Sequence, residues 1–294
     1  MKVVYTSDLH GDIRLYEELW ELARSSSVQI IALGGDLLPS FPPTKRYEDM
    51  IPYQEKFIAQ FLLPFFKKLT ESTAVNKILT IPGNWDLGYP SLFEKPLDEI
   101  VDLNQKAFRL DNGYELIGYP FVPPSPFRPK EYEKMDDPDS PWPPQKYPSY
   151  IRATDLLDRI APVDPVVYLK QRETIQEDLS HPIKPLLFKR TIYVMHSPPF
   201  GTHLDLIQGG KPAGSRSIKT FIERNQPFLT LHGHIHEAPE ISGAYTERIG
   251  ETLSVNPGQS AWAGPAISRI NAVIFEIENP EETIIHTRYS RGRK

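Results

Sequence analysis

The sequence contains no cysteine. Disulfide staples, thiolate metal sites and a cysteine nucleophile are therefore excluded. No apolar run approaches the roughly 20 residues that a membrane helix needs. Positive charge is not in excess either: 33 Lys+Arg face 38 Asp+Glu, a net charge of -5, which argues against a protein that grips long nucleic acid by its phosphates. A strand-like segment begins at Lys2, so no signal peptide is expected and the chain reads as cytoplasmic. What is plentiful is proline, 30 residues in 294, about twice the usual frequency of roughly 5%. Apolar residues at 39% and charged residues at 24% fit a globular protein long enough to bury a sizeable core.

Short apolar runs recur along the chain, each ending in a polar turn. Val3 to Tyr5 is the first, followed by 29–33, 77–81, 190–195, 228–231 and 252–255. Segments 269–277 and 283–288 read as a closing strand pair. Between them lie helical patterns. The first has Asp12 as its cap and Leu15, Leu19, Leu22 and Ala23 on one stripe. Others are expected at 46–72 (broken by Pro52 and Pro64), 92–101, 168–180 and 217–225. This alternation predicts an α/β fold with parallel pairing, and the strand-rich end predicts mixed sheets. One domain over 1–294 is expected, with proline-rich inserts at 39–64 and 119–150. The second insert carries ten prolines between Pro120 and Pro148, together with Phe121, Phe127, Tyr132, Trp142 and Tyr147. It reads first as a rigid surface loop, with a lid or wall over an active site as the sharper alternative. The acidic run 131–139 reads as solvated, His181 and His286 as surface residues, and 290–294 as a frayed basic tail.

Almost every apolar run ends in a residue able to hold a metal: Asp8, His10, Asp36, Asn84, His196, His234 and His236. Ligand sites of open α/β sheets lie at the carboxyl ends of strands, where such residues converge. Imidazole with carboxylate suits Mn, Fe, Zn, Ni or Co better than Ca or Mg, and Mn is the first expectation. Asp8-Leu9-His10 and His234-Ile235-His236 each place two side chains on one side of an extended segment. So many donors exceed one tetrahedral shell and fit two ions sharing a carboxylate. Asp12 and Asp86 read as caps or supporting acceptors, and His232 as a support for the donors.

The order Asp8-Leu9-His10, Gly35-Asp36, Gly83-Asn84-Trp85-Asp86, His196 and Gly233-His234-Ile235-His236 resembles the calcineurin-like metallophosphoesterase family. Within it the chain looks like the small bacterial and archaeal phosphoesterases often labelled Icc-like, through residues 196–202, 233–237 and 256–258. The resemblance implies a four-layer αββα sandwich with two mixed sheets and a two-metal site. It places Asp8, His10 and His236 on one ion, Asn84, His196 and His234 on the other, and Asp36 between them. It implies attack by a metal-bridging hydroxide on a small phosphorylated substrate, with phosphodiesters favoured over monoesters. Gly11 would let the backbone approach the substrate, beside Asn84 and Trp85. Catalysis would fall to Asp36, Asn84 and a proton donor.

Trp85 departs from the family pattern, which has a histidine there that protonates the leaving group. An indole N–H donates a hydrogen bond but is no acid near neutral pH. Either the leaving group is good, or His203 or His232 supplies the proton, or turnover is slow. Two other functions compete: a non-catalytic scaffold on the same fold, and a nuclease, against which the acidic charge counts. A membrane partner is not expected, and self-association is left open.

Overall fold

In the computed structural model, which describes residues 1–94, 97–140, 142, 147–152, 160–259 and 269–288, the apolar runs become short strands with alternate side chains on opposite faces. The strands are β1 (Lys2–Thr6), β2 (Ile30–Leu33), β3 (Lys77–Thr80), β4 (Ile100–Asp102), β5 (Ala107–Arg109), β6 (Glu115–Tyr119), β7 (Ser149–Arg152) and β8 (Ile160–Val163). There follow β9 (Thr191–Met195), β10 (Leu206–Ile207), β11 (Lys211–Pro212), β12 (Leu229–His232), β13 (Thr246–Ile249), β14 (Thr252–Val255), β15 (Val273–Glu276) and β16 (Ile285–His286). The helices are α1 (Ile13–Ser26), α2 (Met50–Phe57), α3 (Leu63–Ser72), α4 (Pro165–Lys170), α5 (Ile175–Ser180) and α6 (Arg216–Asn225).

Two six-stranded sheets form the centre, in the orders β16-β15-β1-β2-β3-β4 and β13-β14-β12-β9-β6-β5. β1 to β4 run parallel, as do β6, β9, β12 and β14. β15 joins β1 antiparallel, and β13 and β5 close the other sheet antiparallel. Each sheet is thus mixed, as expected. Val3, Tyr5, Ile30, Ala32 and Leu79 meet Ile192, Val194, Leu229 and Leu231 between the sheets. Their strand neighbours Val4, Ile31, Leu33 and Ile78 face outward against Leu15, Leu19 and Ala23 of α1 and Phe65, Phe66 and Leu69 of α3. On the far side, Ile117, Tyr193 and Met195 pack on Ile175 and Leu179 of α5 and on Ile218, Phe221 and Ile222 of α6. The layers are therefore αββα, and strands buried on both faces explain the unbroken apolar runs. Among the described residues no helix is long and apolar enough to cross a membrane.

Several local expectations are corrected. The described residues of 92–101 form no α-helix: a short 3-10 turn spans Tyr89–Phe93, and Ile100 of β4 is buried beside β3. The segment 46–72 is divided into shorter pieces, as expected, but they follow one another without a gap and Pro52 is not a break. Pro52 lies in the first turn of α2, where N–H groups lack partners anyway. Before Pro64 the helix widens into a π-turn at Ile58–Leu62, so that Leu63 N bonds Ile58 O five residues back. The segment 168–180 is two helices, and Thr174 opens the second through a capping box with Glu177. Segment 290–294 lies outside the described residues.

The run 131–139 is not uniformly solvated. Asp136 is buried and caps α6, accepting from Ser215 Oγ at 2.5 Å and Arg216 N at 2.8 Å. Glu133 and Lys130 form a fully buried pair at 2.9 Å, and Lys130 Nζ also donates to the carbonyls of Ser125 and Phe127. Deleting one partner strands a charge in the interior. Glu133→Ala is expected to lower stability by about 3–5 kcal/mol in urea unfolding, with the double variant Lys130→Met, Glu133→Leu losing much less.

His286 is not a surface residue. The β16 edge lays it over the loop 256–258, where Nε2 donates to Pro257 O at 2.9 Å and Nδ1 accepts from Arg288 N at 2.9 Å. Burial drives its pKa down to about 4, although the Pro257 bond favours the charged ring. Unfolded, the ring titrates near pH 6.5. Its contribution is therefore present above about pH 6.5 and is lost as pH falls through 4. The stability difference between wild type and His286→Phe is expected to shrink by about 3 kcal/mol between pH 7.5 and pH 4, measured by urea unfolding.

Candidate metal centre

The carboxyl ends of β1, β2, β3, β9 and β12 lie side by side in the two sheets, so the polar turns that follow them gather in one place. Main-chain bonds lace these turns together. Asp8 N donates to Gly35 O, His10 N to Asp36 O, Gly11 N to Leu37 O and Gly233 N to His196 O. To turn back sharply, the chain places Asp8, His10, Asp36 and His234 at φ of 60°, 45°, 52° and 66°. Non-glycine residues held in this left-handed region are strained, and such strain concentrates at functional sites. Gly83 is needed for close approach, since a Cβ there would lie 2.2 Å from Asp36 Oδ1.

Asp8, His10, Asp36 and His236 offer ligand atoms that all lie within 4.8 Å of one another. His10 Nε2 faces His236 Nε2 at 3.2 Å, and His236 Nε2 lies 3.2 Å from Asp8 Oδ1. Asp36 Oδ2 stands between two imidazoles, 3.7 Å from His10 Nε2 and 3.6 Å from His196 Nε2. The His196 and His234 rings meet edge to face at 5.2 Å. Asn84 and His234 line the same cavity of 510 Å³ as His10, Asp36 and His236. Four of the seven expected donors thus form a tight group, His196 faces the same Asp36 oxygen as His10, and Asn84 and His234 line the cavity beside them.

A metal pair fits this arrangement. Both side-chain polar atoms of Asn84, and His196 Nε2, are buried without a hydrogen-bond partner. Buried polar groups are seldom left so, and a cation would satisfy Asn84 Oδ1 and, once its proton is displaced, His196 Nε2. Burial, with nearby imidazoles, holds His10 down at about 4 and His234 at about 3, which keeps both lone pairs available. Burial would also lower His196, but Asp36 outweighs it and raises the ring to about 9. Burial would raise Asp8, but His236 and its hydrogen bond hold it well below the usual carboxylate range. Burial would lower His236 as well, but Asp8 outweighs it and raises the ring.

Supporting groups surround the donors. His10 Nδ1 bonds Ser40 Oγ at 2.5 Å, and His196 Nδ1 bonds Gly34 O at 2.7 Å. Asp36 Oδ1 accepts from Trp85 N at 2.8 Å, leaving Oδ2 to face both imidazoles. Asp86 accepts from Leu37 N, Leu38 N and Gly83 N, tying the turn after β2 to the turn after β3. Burial and then the charge of Asp36 push Asp86 up to about 7. Asn256 donates to Leu204 O and Ile235 O, and Gln259 donates to Ser7 O, bracing the turns that carry His236 and Asp8. His232 is a support, as expected, with Nδ1 at 2.9 Å from Ser197 O and Nε2 at 2.8 Å from Thr230 Oγ1. Asp12 caps α1.

Other expected residues stand apart. His203 does not line the cavity: its side chain is exposed and Nδ1 pairs with Glu247 at 3.1 Å. His232 has both ring nitrogens engaged, so neither histidine is placed to deliver a proton there. Gly11, at φ +70°, makes room for the Pro39 ring, 2.5 Å from where a Cβ would lie. The cavity wall instead holds Trp85, Phe127, Glu237, Glu240 and Gln259. Nothing in the sequence marks Ser40, whereas Glu237 and residues 256–259 adjoin motifs that do stand out.

A sandwich of two mixed sheets with a nitrogen and oxygen donor cluster at its strand ends defines a metallophosphoesterase-type protein. The chain belongs to the calcineurin-like phosphoesterase family, whose model matches residues 1–238. Among curated proteins none matches the sequence. One solved crystal structure is 18% identical, covers 98% of this chain and 99% of its own, and superposes with a TM-score of 0.61. The crystal structure of the protein TT1561 of Thermus thermophilus is 16% identical over 97% of both chains, with a TM-score of 0.55. These likenesses show the fold.

Proposed function

We propose that the chain is a dinuclear metal-dependent phosphoesterase that hydrolyses a small phosphodiester in preference to a monoester, with manganese as the working metal. The observation that carries this reading is Asp36 Oδ2, set 3.7 Å and 3.6 Å from imidazole nitrogens on two sides. Asp8, His10 and His236 would hold one ion and Asn84, His196 and His234 the other, with Asp36 shared. When bound, two such ions acidify water and neutralise charge on a phosphoryl group in transfer. The chain contributes orientation: Trp85 N fixes the Asp36 carboxylate, and Asp86 fixes the turn that carries Asn84.

Diester preference is supported by charge. No lysine or arginine is among the described residues lining the cavity, whereas Glu237 and Glu240 are. A monoester dianion carries one more negative charge past those carboxylates than a diester monoanion does. A good leaving group is supported by Trp85, since no histidine beyond the donors faces the cavity among the described residues. Manganese-loaded protein is expected to hydrolyse bis(p-nitrophenyl) phosphate faster than p-nitrophenyl phosphate. Failure of protein carrying two metal equivalents to hydrolyse any monoester, diester or pyrophosphate would falsify the reading.

A further inference from the structure

We infer that the ester taken by this site carries a flat aromatic substituent, which stacks against a platform made by Phe127 and Phe41 on either side of Trp85. The inference rests on the phosphoester reading above and names its substrate class. Trp85 itself is nearly buried, 4% exposed, and the phenyl rings lean on it from two sides: Phe41 at 5.1 Å and 58°, Phe127 at 5.5 Å and 54°. Those two rings are 50% and 45% exposed, so with Trp85 they leave a contiguous aromatic surface open beside the donors. Phe127 and Trp85 line the same cavity as His10, Asp36, Asn84, His234 and His236, and Phe41, outside that lining, extends the aromatic surface from the other side of Trp85. Its 510 Å³ is far more than a phosphoryl group fills and is typical of sites for drug-sized ligands.

The main chain that carries Phe127 is anchored. Phe127 O accepts from Lys130 Nζ, whose charge is fully buried against Glu133, and Glu133 in turn holds Ser125 through Oγ at 2.5 Å and N at 3.1 Å. A loop fastened by an interior ion pair has little backbone freedom left to lose when a ligand stacks on its exposed ring. Aromatic rings prefer offset or edge contacts at 4.5–7 Å, which bring roughly two- to tenfold in affinity beyond the area they cover. The wall is therefore built to select flat rings over merely bulky apolar groups. An aromatic leaving group would also need little help from a proton donor, consistent with Trp85 in place of a histidine.

The test uses three non-hydrolysable monoanions that mimic a diester: dimethylphosphinate, dicyclohexylphosphinate and diphenylphosphinate. Each is titrated by calorimetry into manganese-loaded protein and into the Phe41→Leu, Phe127→Leu double variant, which keeps apolar bulk and is checked by thermal melting. Diphenylphosphinate is expected to bind about tenfold tighter than dimethylphosphinate and about threefold or more tighter than dicyclohexylphosphinate, with both ratios collapsing in the variant. Equal affinity for the phenyl and cyclohexyl probes overturns the inference, as does a phenyl preference that survives in the variant or the absence of binding by all three. Binding is read without turnover. A phenyl preference in a protein that hydrolyses no ester would therefore sink the hydrolase reading and leave the ring platform standing.

Discussion

Asp36→Asn is expected to lower kcat/KM toward an aryl phosphodiester by roughly 10³-fold, about 4 kcal/mol of transition-state stabilisation. The substitution is nearly isosteric. The new amide would still accept from Trp85 N through its carbonyl oxygen, so the turn after β3 keeps its anchor. What disappears is the charge at Oδ2, the atom that faces His10 and His196. Without metal the loss is cushioned, because His196 is raised to about 9 largely by Asp36 and can give up its proton when that carboxylate is gone. Metal-free wild type and variant should therefore melt within a few degrees of each other. Ions that bind only the folded state raise stability by mass action. Manganese should raise the melting temperature of the wild type and leave that of the variant nearly unmoved. Equal stabilisation of both proteins by manganese would show that Asp36 is structural.

Trp85→His is the second large effect, and its direction depends on the substrate. A positioned general acid contributes about 10²–10⁴ in rate when the leaving group is poor. The variant should gain roughly 10²-fold on alkyl phosphodiesters, while bis(p-nitrophenyl) phosphate changes little because its leaving group needs no proton. The cost falls on packing. Trp85 is buried with Met50, Ile51 and Leu87 and supports both Phe41 and Phe127. Replacing it with a smaller polar ring should cost about 2–3 kcal/mol, seen as a lower melting temperature. A variant that loses rate equally on alkyl and aryl esters would mean that position 85 serves the cavity wall and has no bearing on protonation.

Much of this architecture is legible in the chain because it depends on short-range pattern. Strands buried on both faces read as near-continuous apolar runs, and Val3 to Tyr5, 78–79 and 192–195 look so. Donors at the ends of those runs are visible as residues, and Asp8, His10, Asp36 and His236 do converge. Long-range contacts are what sequence pattern misses. His286 looks like an isolated polar residue near the end of the chain, yet β16 folds it onto Pro257. Glu133 and Lys130 sit in a run of charges whose burial depends on the loop's tertiary position. The helix over 92–101 fails because pairing with β3 outweighs local propensity. The left-handed backbone at four donors is also invisible in the residue order, since aspartate and histidine adopt it only where neighbouring turns hold them.

Those four bends bear on which metal the protein carries. They are fixed by main-chain bonds from one turn to the next, such as Asp8 N to Gly35 O and His10 N to Asp36 O, which use no side-chain donor atom. A frame held by the backbone sets where the donor side chains begin, whichever ion they hold. The imidazole, carboxylate and amide donors on that frame suit several divalent transition metals. Intrinsic affinity would then follow the general order that places manganese below iron, cobalt, nickel and copper. Supply in the surroundings, more than the fold, would decide the occupant.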